Sequence, residues 1–242
     1  MPDAARLPRR LRHGVWFVLD WVYALVWQVR SLGPRDAGDY LGGDLAPVVI
    51  LPGIWETWHF LRPVIEPLHE RGHPVHVVPA LRFNGRPVVE SARTVAGVIA
   101  ELDLRHTVLV AHSKGGLIGK YVMSRLDPDG RVDRMIAVNS PFGGSTYARF
   151  APLRSLRAFA ASDPTLHLLL TDRAVNDRIT SIFGEFDSVI PEGSELTGAH
   201  NVRLASGGHF RILADPRTIA TVLTAAAAAE ERSENDGTAS AG

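Results

Sequence analysis

From about residue 47 to residue 230 the apolar residues fall into short unbroken runs, separated by longer stretches in which apolar positions recur every three or four residues. The runs are Val48 to Leu51, Val75 to Val78, Thr107 to Ala111, Met135 to Val138, Ile179 to Phe183 and Val202 to Ala205. Continuous rather than alternating runs of this length suit strands buried on both faces, the condition of a parallel sheet. The stretches around Phe60 to Arg71, Val88 to Leu102 and Gly116 to Leu126 read as helices, the last stopped by Asp127-Pro128. Strand and helix alternate, which predicts an α/β fold built on a doubly wound, mostly parallel sheet of about six strands. In such a sheet ligands collect at the carboxyl ends of the strands, so the turns after each strand are where chemistry is expected.

The two ends of the chain differ from this middle. Asp215 reads as an N-cap and Pro216 as the first position of a last helix that runs through an alanine-rich stretch. Residues 231–242 are small and polar with nothing to bury, and are expected to be a disordered tail. At the other end Arg9, Arg10 and Arg12 precede an apolar run from Val15 to Val29 that is closed by Arg30. Wound as a helix, this run places Trp16, Asp20, Tyr23 and Trp27 on one stripe and aliphatic residues elsewhere. It is shorter than the ~20 residues that span a bilayer, and Asp20 lies near its middle. No small-x-small cleavage site follows it, as a signal peptide would require. Two uses fit: peripheral contact with a membrane surface through residues 15–29, and packing against the main domain across the mouth of a pocket. The expected location is cytoplasmic, with membrane association if the first use holds, rather than secreted. The domain division is therefore 1–46, an apolar helix and linker; 47–230, the main domain; and 231–242, the tail.

Composition narrows the chemistry. With 242 residues the chain can build one large core, and with 26 Lys and Arg against 26 Asp and Glu it has no basic field to gather nucleic acid. There is no cysteine, which excludes disulfides, zinc-thiolate sites and thiol nucleophiles. A nucleophile must be oxygen or nitrogen.

Ala111-His112-Ser113-Lys114-Gly115 follows the third apolar run and opens into Gly116-Leu-Ile-Gly119. A serine on so sharp a strand-to-helix bend has its hydroxyl exposed and the positive end of a helix beneath it. The small residues two before and two after it are needed sterically, and Gly116 and Gly119 let the helix lie close to the sheet. Serine requires a histidine to take its proton and an acid to orient that histidine. Asp187 in the turn Asp187-Ser-Val-Ile-Pro191, and His209 in the glycine-flanked turn Gly208-His209, both follow later strands. Together with Leu51-Pro-Gly-Ile54 these motifs resemble those of small bacterial serine esterases and lipases of the α/β-hydrolase superfamily. The resemblance covers roughly residues 47–230, in the chain order Ser, Asp, His.

That resemblance implies a Ser113, His209, Asp187 triad, with an oxyanion held by two backbone N–H groups. The residue after the nucleophile, Lys114, supplies one, and by the resemblance Ile54 supplies the other, with Trp55 as fallback. Glu185, Asp172 and Asp177 remain open as the acid, and His200 as the base. His112 is expected to face away from the hydroxyl as packing or pocket wall. The Lys114 side chain is expected to be exposed and ion-paired, with a cation beside the acyl site as the alternative. His73 and His76 read as punctuation before a strand, not as a metal pair. A short cap at about 141–178 is expected over the site. Trp55, Trp58, Phe83, His112, Phe142 and Tyr147 are the candidate pocket residues, and Phe150, Leu153 and Phe159 are further apolar candidates. The implied function is hydrolysis of neutral, hydrophobic acyl esters, including lipid esters, without metal or organic cofactor. Acyl transfer or thioester cleavage would use the same parts, and a non-catalytic apolar-ligand-binding member of the fold is the alternative of another class.

Overall fold

The structure, a computed structural model, describes residues 8–31, 36–150, 159 and 163–239, and of residues 149, 150 and 229–239 the backbone alone. Six strands form one parallel sheet: β1 (Val48–Leu51), β2 (Val75–Val77), β3 (Thr107–His112), β4 (Val132–Val138), β5 (Ile179–Phe186) and β6 (His200–Gly207). Their order across the sheet is β2-β1-β3-β4-β5-β6. The strands outgrow the apolar runs at β4, β5 and β6 because backbone pairing continues beyond the residues that are buried on both sides.

The unbroken apolar runs are explained by the two layers that cover the sheet. Val49, Leu51, Leu109, Ala111, Met135 and Ala137 point to one face, where they pack with α3 (Val88–Glu101) and α4 (Lys114–Tyr121). Val48, Ile50, Val108, Val110, Ile136 and Val138 point to the other, under α2 (Arg62–Glu70) and the last helix. Successive residues of a strand face opposite ways, so burying both faces demands an apolar residue at every position.

α4 widens into a π turn, Val122–Leu126, and stops where the Asp127 carboxylate accepts the N–H groups of Arg131 (2.7 Å) and Val132 (3.0 Å). The cap region is described as a 3-10 turn, Thr146–Phe150, and a helix α5 (Pro164–Thr171) whose N-cap Asp163 accepts from Thr165 and Leu166. Leu153 lies outside the described residues. The last helix, α6 (Pro216–Ala239), starts with Asp215 and Pro216 as expected. Its backbone continues beyond residue 230 into the stretch read from composition as a tail; the preceding alanine run has the highest helix propensity and propagates the helix into the polar residues.

At the N-terminus α1 (Arg9–Arg30) lies against β6 and the 3-10 turns Trp58–Leu61 and Arg211–Ala214. Its stripe of Trp16, Asp20, Tyr23 and Trp27 faces inward, and Trp16 and Asp20 are buried.

Candidate active site

Ser113 joins β3 to α4 in a left-handed backbone conformation, φ +50° and ψ −119°, which costs energy in any residue with a Cβ. Surrounding packing enforces it. A Cβ at Gly115 would lie 2.1 Å from the carbonyl oxygen of Leu51, and one at Gly116 would lie 2.1 Å from Ser140 Oγ. Only glycine lets the first turn of α4 approach β1 and β4 this closely.

The structure brings Ser113, His209 and Asp187 into one hydrogen-bonded line. His209 Nε2 is 3.0 Å from Ser113 Oγ, and Nδ1 is 2.8 Å from Asp187 Oδ2. A carboxylate at Nδ1 fixes the ring with its proton there, leaving the Nε2 lone pair to accept from the serine hydroxyl. Asp187 is oriented in turn, since its Oδ1 accepts the N–H groups of Val189 (2.7 Å) and Ile190 (2.9 Å). All three side chains are buried. Burial raises the Asp187 pKa, but the charge and hydrogen bond of His209 and the two backbone donors outweigh it and hold the carboxyl below its usual range. Burial disfavours the His209 imidazolium. The Asp187 carboxylate, with Glu56 and Asp20 farther off, outweighs this and holds the ring above its usual range. The rival residues are engaged or placed elsewhere: Glu185 pairs with Arg12 at 2.9 Å and Asp172 with Arg125 at 3.0 Å, while Asp177 and His200 are exposed.

Two buried carboxylates hold the backbone around His209, and neither was identified from the sequence as part of the site. Asp20 Oδ2 accepts the N–H of His209 at 2.7 Å, and Oδ1 accepts those of Phe210 and Arg211 at 2.8 Å each. The carbonyl of His209 accepts from Asn139 Nδ2 (3.1 Å) and His112 Nε2 (2.9 Å). His112 therefore donates from Nε2, and its Nδ1 lies 2.8 Å from the Glu56 carboxyl group. Glu56 also accepts the N–H of Gly53 at 2.7 Å. It links the loop after β1 to the histidine turn. The sequence signal for Asp20 was its solitary place in an apolar helix, since a buried charge must find donors.

The loop after β1 is fixed residue by residue. Asn84 Nδ2 donates to the Pro52 carbonyl (2.7 Å), Gly53 N–H to Glu56, and Trp55 N–H to the Phe83 carbonyl (2.7 Å). Trp55 N–H is thus spent, whereas no hydrogen bond among the described residues engages the N–H of Ile54 or Lys114. The Lys114 side chain is neither exposed nor ion-paired, and it does not line the cavity beside Ser113. It is buried, and its Nζ donates to the Asn84 carbonyl (2.7 Å), Asn84 Oδ1 (3.3 Å) and the Arg86 carbonyl. Burial pushes its pKa down to about 8. Lys114 ties the segment 84–86, and through Asn84 the loop after β1, to the start of α4.

A cavity of about 580 Å³ opens beside Ser113 and His209. Its walls are apolar, among them Trp21 and Leu25 of α1, Phe60, Phe159 and Phe210. Of the candidate pocket residues, Trp55 and Tyr147 line it, as does Ile54. The others do not. Trp58 stacks on His59 and meets Tyr40 edge-on, Phe83 is exposed, His112 is occupied by Glu56 and His209, and Phe142 is core. Phe142 enters the core because Pro141 and the turn after it send its ring beneath the cap, with Ala148 and Phe159. Packing of α1 across the mouth of a pocket was one of the two uses read from its sequence, although Trp21 and Leu25 were not among the candidate pocket residues. His73 does not act with His76; its Nδ1 bonds the Ala46 carbonyl at 2.8 Å.

No family model matches the chain. Solved structures do. The mature form of the Bacillus licheniformis lipase BlEst2 aligns over 80% of this chain and 94% of its own, at 14% identity and a TM-score of 0.60. A structure of the metagenome-derived lipolytic enzymes LipS and LipT covers 79% of this chain and 96% of its own, at 13% identity and a TM-score of 0.58. Mouse alpha/beta hydrolase domain-containing protein 10 covers 76% and 89%, at 13% identity and a TM-score of 0.56. Identities this low carry the architecture alone. The six-stranded parallel sheet, the helices on both faces and these likenesses agree that the chain has the α/β-hydrolase fold.

Proposed function

We propose that the protein is a serine carboxylic-ester hydrolase that acts on neutral, hydrophobic acyl esters, small or lipid. The observation that carries this reading is the line Ser113 Oγ, His209, Asp187 facing an apolar cavity. Ser113 Oγ attacks the acyl carbon as its proton passes to His209 Nε2, and the carbonyl electron pair moves onto oxygen. The N–H groups of Lys114 and Ile54 donate to that oxyanion, and the collapse of the intermediate expels the alkoxide, which takes the proton from His209. Water then attacks the acyl-serine, gives its proton to the same nitrogen, and releases the carboxylic acid with Ser113 restored. Asp187 stays ionised throughout and stabilises the imidazolium. The apolar cavity walls favour a neutral acyl chain, because a charged one would be desolvated without a partner.

The test is the intact mass of the protein after treatment with a fluorophosphonate, alongside turnover of p-nitrophenyl acyl esters. The wild type should gain one adduct and hydrolyse the esters, and Ser113→Ala should do neither. A wild type without an adduct refutes the hydrolase reading and leaves apolar-ligand binding in its place.

A further inference from the structure

We infer that the outward face of α1 is a docking surface for an anionic lipid membrane, which it holds beside the mouth of the cavity. Asp20 and its stripe face the domain, so the opposite stripe faces out. Leu11, Val15, Val18, Val22, Leu25 and Val29 recur at alternating intervals of four and three along it, each between 39% and 66% exposed. Monomeric proteins rarely leave so long a contiguous apolar face in water. Leu25 of this stripe and the adjacent Trp21 also line the cavity, and Trp21 packs edge-on against Phe210 next to His209. The face and the mouth are therefore one continuous apolar surface.

Charge selects the occupant. Asp20 is the only acidic residue between Arg9 and Arg30, and it is turned inward, while Arg9, Arg10 and Arg30 are exposed at the two ends of the helix, Arg30 with its guanidinium over the Trp27 ring. A second copy of the chain is poorly matched. A parallel pairing of two α1 helices sets Arg9 and Arg10 against themselves, an antiparallel one sets them against Arg30, and neither supplies an acid. Anionic headgroups complement all three arginines, and acyl chains complement the stripe between them. No helix among the described residues is long and apolar enough to cross a membrane, so α1 lies along the surface. That such a surface feeds ester to Ser113 rests on the proposed hydrolase function; the docking itself does not.

The experiment is flotation of the full chain with phosphatidylcholine vesicles, with and without phosphatidylglycerol. The wild type should float with the anionic vesicles and lose that binding as salt rises. Val18→Glu/Val22→Glu/Val29→Glu, all exposed and outside the cavity lining, should bind at least about tenfold more weakly and keep its turnover of a short soluble ester. Arg9→Gln/Arg10→Gln/Arg30→Gln should lose the preference for anionic over neutral vesicles. A wild type that stays at the bottom of the gradient overturns the inference, as does equal flotation of the triple glutamate variant. So does light scattering that finds a dimer which this variant dissolves, because the face then belongs to a second copy. Flotation is read without turnover, so a protein that floats but takes no fluorophosphonate refutes the hydrolase and leaves the docking surface standing.

Discussion

Asp20 lies 189 residues before His209 in the chain and holds its backbone, so Asp20→Asn tests whether α1 is part of the active site. The wild-type carboxylate accepts three short backbone bonds, at 2.7, 2.8 and 2.8 Å. An asparagine that sets its oxygen where Oδ1 stands keeps two of them as neutral bonds and turns its NH₂ against the N–H of His209. Charge-assisted bonds are worth about 1.5–3 kcal/mol and neutral ones about 1, and an unsatisfied buried donor costs about 1–3. Part of that loss is offset because asparagine no longer buries a charge, leaving a net destabilisation of about 2–4 kcal/mol. For a domain of this size that is a fall in Tm of about 5–15 °C.

The catalytic consequence separates a positioning role from a merely structural one. A shift of ~1 Å in the imidazole lowers turnover about 10²-fold. The pH profile gives a second, independent reading. In the proposed reaction attack requires the neutral His209 ring, so kcat/KM should rise with pH through a midpoint above the ordinary histidine value of about 6.5, where the Asp187 carboxylate holds it against burial. The charge of Asp20 is one of the influences raising that pKa, and Asp20→Asn should move the acid limb to lower pH. The assay is kcat/KM for a soluble p-nitrophenyl ester across the pH range, with a thermal melt of each variant. An Asp20→Asn protein within about twofold of wild type, its acid limb unmoved, would falsify the clamp.

Two further substitutions test the packing around Ser113. Lys114→Met removes a buried amine from two carbonyls and the Asn84 side chain, and should cost about 2–4 kcal/mol in denaturant unfolding. It should leave the preference between neutral and acidic esters unchanged, since Nζ is committed to residues 84–86; a changed preference without a stability loss contradicts this. Gly115→Ala puts a methyl 2.1 Å from the Leu51 carbonyl oxygen and should cost about 3 kcal/mol or more, with loss of soluble protein or of fluorophosphonate labelling. A Gly115→Ala protein that melts and labels like wild type would show that β1 can move aside.

What could be read from the sequence was what is local. Val48 to Leu51 and Thr107 to Ala111 announce strands because each residue must satisfy a buried face, and Ser113, Asp187 and His209 each lie a few residues after such a run. The carboxylates at positions 20 and 56 could not be read in this way, because their partners are distant in sequence: Asp20 meets His209 and Glu56 meets His112 only once the sheet has assembled. The aromatic residues posed a related ambiguity. Phe142 and Tyr147 stand five residues apart in the same cap segment, yet one is core and the other 60% exposed at the cavity, a choice made by the turn between them. Lys114 misled for a simpler reason. Lysine is rarely buried, and nothing in its neighbours signalled the carbonyls of Asn84 and Arg86 waiting 28 to 30 residues away.

The orientation of α1 follows from a single residue. A carboxylate cannot be buried without donors, and the turn at His209 offers three N–H groups that no strand or helix uses. Once Asp20 is placed there, helical periodicity dictates the rest: Trp16, Tyr23 and Trp27 go inward, and Val15, Val18, Val22 and Val29 have nowhere to go but out. Turning the helix to hide the valines would draw the carboxylate away from its donors and strip the His209 turn of its anchor. The apolar face is thus kept in place by the same three bonds that position the histidine. A membrane bound on that face would act on a helix already fixed to the His209 turn, so weakening the Asp20 bonds should loosen vesicle binding and turnover together, whereas glutamates on the outer face should affect vesicle binding alone.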